Sequence, residues 1–133
     1  MLRVVCLAVL RSNNELLLVR RDNTWMLPSV IVQGDEDAFQ CLSTMLHVAL
    51  PGLSLEDIFP FTEDVCGVFS CRGTAVVSAC VYIISSSLSF ASQYAGELTG
   101  SAWVHVCGFA VYGISDLTYN IIAVLQREGF LLQ

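Results

Sequence analysis

Apolar and polar positions change rhythm several times along this chain, and each change marks an element. Arg3 to Arg11 (RVVCLAVLR) is an unbroken apolar run between two arginines, the pattern of a buried strand. Ser12-Asn13-Asn14 reads as a turn in which asparagine tolerates left-handed backbone, and Glu15 to Arg21 (ELLLVRR) as the returning strand of a hairpin. Asp22 to Ser29 (DNTWMLPS) reads as a loop, with Pro28 ending any regular element. From Asp35 to Leu50 the pattern predicts a helix. Its acids Asp35, Glu36 and Asp37 stand at the N-terminal end, where the helix dipole favours negative charge, and Pro51-Gly52 ends it.

The second half repeats the strand rhythm. Leu55 to Asp64 is irregular or strand-like. Val65 to Cys71 and Thr74 to Ser86 predict a second strand pair with Arg72-Gly73 near its turn. Leu88 to Gly100 reads as a loop, and Ser101 to Ile114 as a strand followed by something looser. Ser115 is a good N-cap for a closing helix: Ile121, Ile122 and Leu125 give helical spacing, and Gly129 is its stop. Strand, strand, helix, strands, helix is the order of an α+β or α/β sandwich, and 133 residues suit one domain over 1–133.

Composition adds a partner to this picture. Apolar residues make up 55 % of the chain and charged residues 14 %. A domain this small has much surface for its volume, so some of that apolar excess is expected to face another protein or a second copy of the chain. The net charge is −6, all six basic residues are arginine, and no basic cluster exceeds Arg20-Arg21. A footprint for a nucleic-acid backbone is therefore not expected. The six cysteines form no C-x-x-C pair, and His47 and His105 lack ligand spacing. The N-terminus carries no secretory pattern, so buried free thiols in the cytoplasm or another reducing compartment are the expectation. Gly73 to Gly96 is uncharged and long enough for a bilayer. Its β-branched residues, its serine break at Ser85 to Ser87 and its lack of basic flanks predict a buried strand instead of a membrane span.

The stretch WMLPSVIVQGDEDAFQCLSTMLHVALPG, Trp25 to Gly52, resembles the signature of the Nudix hydrolase family. That signature is G-x5-E-x7-R-E-U-x-E-E-x-G-U with U apolar, often preceded by an aromatic, Leu, Pro and two Gly. Trp25, Leu27 and Pro28 match the lead-in, with Ser29 and Val30 at the two glycines. Glu36 falls on the first Glu. Thr44 stands at the Arg, Met45 at the next Glu, Leu46 at the apolar position, Val48 and Ala49 at the paired Glu, and Pro51 at the Gly. Late in the chain, Glu97 and Trp103 resemble an acid and a tryptophan that many members carry. The resemblance covers nearly the whole length. It implies an α/β/α sandwich with a mixed sheet between helices. For an intact member it also implies a magnesium-dependent cleavage of diphosphate linkages.

The departures from that signature point away from catalysis. Magnesium takes hard oxygen ligands in near-octahedral geometry. Met45, Val48 and Ala49, at i, i+3 and i+4, share one helix face, and none can supply such an oxygen. Thr44 lacks the fork by which an arginine holds carboxylates. The expected function is thus that of a catalytically inactive Nudix-like domain serving as a protein-binding or structural subunit, with no cofactor. Met45, Val48 and Ala49 are its candidate interface, covered by local collapse or by a partner. Three other readings stay open. One is a divergent hydrolase using magnesium with Glu36 and Glu97. Another is a nucleotide sensor with a vestigial pocket of Trp25, Glu36, Glu97 and Trp103, where Phe61 or Phe69 also stack on a base. The last is a profilin-like or longin-like adaptor.

Overall fold

The computed structural model describes residues 2–21, 23–49, 58–61, 64–70, 74–85 and 98–131. Its centre is β1 (Leu2–Arg11), which hairpins into β2 (Glu15–Arg21). Asn13 and Asn14 take φ of 69° and 59°, the left-handed backbone that a tight hairpin turn needs and asparagine accepts at low cost. A third left-handed asparagine, Asn23 at φ 65°, turns β2 into β3 (Thr24–Met26). β4 (Ser29–Val32) then begins directly after Pro28. The expected loop from Asp22 to Ser29 is thus corrected: it holds a strand, and a second strand starts at its end.

β1 is the hub. It pairs with β2 at one end, with β4 along Arg3 to Cys6, and in parallel with β7 (Thr74–Ser85) along Leu2 to Leu10. β7 carries β6 (Val65–Ser70) and the short β5 (Phe59–Pro60) on its other side, and β8 (Leu98–His105) pairs with β2. Among the described residues this is one eight-stranded mixed sheet. Gly73 to Gly96 contributes β7, and no helix among the described residues is long and apolar enough to cross a membrane.

Two helices cover opposite faces of the sheet. α1 (Ala38–Ala49) packs on β1 and β4, and its Phe39 ring lies 5.5 Å from Tyr82 of β7. α2 (Asp116–Arg127) packs on β6, with Leu117 against Gly67. Tyr82 pairs with Leu7, whereas Gly67 pairs with Val77, which pairs with Leu2. Residues alternate faces along a strand, so the odd and even positions of β1 face different helices. That is why Val4 to Val9 are all buried and why β1 reads as a continuous apolar run. The α/β/α sandwich with a mixed sheet between helices is what forms.

α1 starts three residues later than its pattern suggests. Asp35 to Asp37 precede it, and Asp37 is its cap: the Asp37 carboxylate accepts from the Gln40 amide at 3.0 Å, and its carbonyl accepts from the Cys41 amide at 3.0 Å. Leu42 and Leu46 point straight into the core, at 0 % and 2 % exposure. α2 begins at Ser115, as expected, and Gly129 follows its end at φ 84°. The looser stretch after β8 is a 3₁₀ helix, Val106–Val111. Ser115 and Thr118 tie this end of α2 to the sheet: the Leu27 amide donates to the Thr118 hydroxyl at 3.3 Å, and the Ser115 amide to the Trp25 carbonyl at 2.9 Å.

Five cysteines fall among the described residues and none is bonded to another. The expectation that the thiols are buried holds fully for Cys6; Cys66 and Cys107 are exposed. Burial pushes the Cys6 thiol from an ordinary value of 9.0 up to about 12, opposed by the Ser29 hydroxyl 3.2 Å away. An unfolded chain ionises this thiol first, so the stability it carries is complete below about pH 9 and is lost as pH rises toward about 12. Denaturant titrations at mildly and strongly alkaline pH should show this loss, and it should shrink in Cys6→Ala. A Cβ at Gly67 would come within 2.8 Å of Leu117 Cα. Gly67→Ala is expected to destabilise by about 1–3 kcal/mol through overpacking. An unchanged unfolding midpoint would refute that packing.

Candidate functional site

Between β4 and α1 lies a cleft of about 440 Å³, within the usual size range of ligand pockets. Val30 and Ile31 of β4 form one wall. Cys41, Thr44 and Met45 of α1 form the other, and Glu36, Asp37 and Gln40 line its mouth. The chain builds this cleft in steps. β4 is fixed by pairing with β1. A turn follows, with Gly34 at φ 55° and the Glu36 amide donating to the Gln33 carbonyl at 3.0 Å. Arg3 holds the turn from β1: its Nη2 donates to the carbonyls of Gly34 at 3.0 Å and Glu36 at 3.4 Å. The helix then starts on its Asp37 cap and passes the cleft with one flank.

That flank carries Cys41, Met45 and Val48, at i, i+4 and i+7. Met45 lines the cleft half-buried, and Val48 is 58 % exposed. Among the described residues none collapses over Val48, local collapse being one of the two expected ways of covering this face. The core-facing stripe of Leu42 and Leu46 leaves the Met45 flank at the edge of the helix–sheet contact, and Val48 is not buried against any of the described residues. The side chain of Ala49, and Pro51 and Glu97, lie outside the described residues.

The electrostatics are acidic, with Arg3 in partial opposition. The Cys41 thiol donates to Glu36 Oε2 at 3.6 Å. Partial desolvation first, and then the negative charge of Glu36, push that thiol above its ordinary value. Among the described residues Glu36 makes no ion pair. Asp37 is engaged with the helix amides, and Arg3 with main-chain carbonyls. Magnesium does not fit this set. Met45 and Val48 offer no hard donor, and two carboxylates at the mouth, one of them capping the helix, do not make an octahedron of oxygens. No group of three or more His, Cys, Asp or Glu converges on one point among the described residues.

Of the expected vestigial pocket, the three described residues, Trp25, Glu36 and Trp103, do not come together. Trp25 pairs with Arg20 on β2, and Trp103 pairs with Leu17. Those two β2 positions are three apart, so the rings stand on opposite faces of the sheet. Trp25 packs edge-on against Tyr112 at 5.1 Å, toward the α2 side. Trp103 lies under the Arg11 guanidinium at 4.4 Å, which Glu15 holds at 2.7 Å. Phe69 is in the core, and Phe61 packs on Phe130. Neither presents a ring to the cleft. His47 is exposed, and exposed His105 accepts from the Cys107 amide at the start of the 3₁₀ helix. The sequence reading missed Val30, Ile31 and Cys41. The i, i+4 spacing of Cys41 and Met45 was a visible signal, but the β4 wall was hidden by reading Pro28 as the end of regular structure.

No family model and no curated protein sequence matches the chain. Solved structures do. The NUDIX domain of Shewanella oneidensis NrtR, complexed with ADP ribose, superposes with a TM-score of 0.74 at 16 % identity, covering 96 % of this chain and 88 % of that one. The C-terminal domain of mouse MUTYH, in complex with human PCNA, gives 0.69 at 15 % identity, covering 99 % and 92 %. A C. elegans Ap4A hydrolase gives 0.65 at 15 % identity, covering 96 % and 94 %.

Cys41 should react slowly with iodoacetamide at neutral pH, because a raised thiol leaves little thiolate. Glu36→Gln removes a negative neighbour, so alkylation at Cys41, followed by site-resolved mass spectrometry, should speed up. A slower or unchanged rate would show that Glu36 does not act on the thiol. At these identities the likeness carries the architecture alone: the chain has the Nudix fold.

Proposed function

We propose that this chain is a Nudix-fold domain without metal-dependent hydrolysis, acting as a protein-binding or structural subunit in the cytoplasm or another reducing compartment. The observation that carries the reading is the α1 flank: Met45 and exposed Val48 occupy two positions at which the family signature has metal-binding carboxylates. An exposed apolar flank beside a cleft is costly in water and is relieved by a protein surface. The partner is another protein or a second copy. The fold neighbour from mouse MUTYH, solved with human PCNA, supports the use of this architecture as a protein-binding module. The described thiols, none of them paired, support a reducing environment.

A second reading is a nucleotide sensor, favoured by the ADP ribose in the NrtR complex and by the size of the cleft. Thermal-shift measurements separate the two, since a ligand that binds the folded state raises the melting temperature by mass action. A shift with ADP-ribose, and no co-purifying protein, supports the sensor.

The decisive assay is hydrolysis of nucleoside diphosphate compounds with magnesium or manganese. No turnover above the protein-free control is expected, for the native chain and for Glu36→Gln alike. Robust turnover that Glu36→Gln abolishes overturns the proposal and favours a hydrolase.

A further inference from the structure

The cleft has a chemical preference of its own. Its walls are apolar at Val30, Ile31, Cys41 and Met45, and its mouth carries Glu36 and Asp37. Asp35 stands exposed beside them. The amides at a helix N-terminus ordinarily favour an anion. Here the chain supplies that anion itself, as the Asp37 cap. Arg3, the cation bonded to this loop, donates to the main-chain carbonyls of Gly34 and Glu36. Asp35, Glu36 and Asp37 thus outnumber Arg3 at this loop, in a chain of net charge −6. A diphosphate arriving without a metal would meet like charge at the entrance.

We propose that the cleft docks a segment of a partner protein carrying an aliphatic side chain flanked by arginine or lysine. The proposal rests on the subunit reading and names the partner's chemistry. The aliphatic group enters between Val30, Ile31 and Met45. The unbranched thioether of Met45 adapts to irregular shapes, which suits a wall that must fit a guest. The flanking cation meets Glu36 at the mouth, with Asp35 and Asp37 adding to the field. Charge complementarity of this kind sets orientation and association rate as well as partner choice.

The test uses the full chain and fluorescence anisotropy with a short fluorescein-labelled peptide of leucine and arginine separated by glycine. The peptide should bind, and more weakly as salt rises. Versions with glutamate for arginine, or glycine for leucine, should not. Thr44 is exposed, so Thr44→Arg places a cation on the cleft wall without threatening the core, and is expected to weaken binding at least about tenfold. Met45→Ser and Glu36→Gln should each weaken it severalfold, with Glu36→Gln also flattening the salt dependence. Equal binding of the glutamate version, or unchanged binding by Thr44→Arg with its melting temperature intact, overturns the proposal. Native mass spectrometry of the chain from its own cells separates the two levels. A partner retained by Thr44→Arg leaves the subunit reading standing and removes the cleft from it. Peptide binding as expected without any co-purifying protein supports the cleft chemistry and goes against the subunit reading alone.

Discussion

The parallel pairing of β1 with β7 holds the two halves of the chain together. Leu2 to Leu10 lie beside Val77 to Ser85, residues that start far apart in sequence. A parallel pair cannot be closed by a tight turn, and it is stable when both faces are covered. Both are covered here, by α1 on one side and α2 on the other. Because β1 is buried on both faces, its other edge is available to seat β2 and β4 in succession. The position of β4 follows from that pairing, and the position of α1 follows from β4 through the turn that Arg3 holds.

That chain of dependence explains why the cleft does not depend on which side chains the outer flank of α1 carries. The cleft is a consequence of backbone geometry: a strand, a turn with Gly34 in left-handed backbone, and a capped helix. Met45 and Val48 on α1 take no part in holding these three, because the residues that anchor the helix are Leu42 and Leu46 on a different stripe. Core and site are therefore separable on this helix. The cavity that results has an apolar wall with acids at its mouth.

Much of the fold was legible from pattern. The uninterrupted apolar run of β1 announced a strand covered on both sides, Asn13-Asn14 announced the hairpin, and Ser115 with Ile121, Ile122 and Leu125 announced α2. The errors were local and have physical causes. Pro28 was read as a break, yet proline lacks only the donor and β4 starts one residue later. Asp35 to Asp37 were read as helix, yet an aspartate whose carboxylate binds the third helical amide is a cap standing outside it. The tryptophans were grouped because the family carries an acid and a tryptophan late in the chain. Pairing three residues apart on β2 sends their rings to opposite faces, which a sequence does not display.

The sequence by itself determined the β1–β2 hairpin, the two helices and their core-facing residues, because period is a property of local order. It also determined that Met45 and Val48 offer no oxygen to a metal, because that is side-chain chemistry and independent of placement. Tertiary structure alone decided that β4 faces α1 across a cleft, that Val48 stays in water, and that Glu36 meets Cys41 at the mouth of that cleft. Those outcomes depend on the register of β4 against β1 and on the turn that Arg3 pins from thirty-odd residues away. No local pattern encodes such a distance.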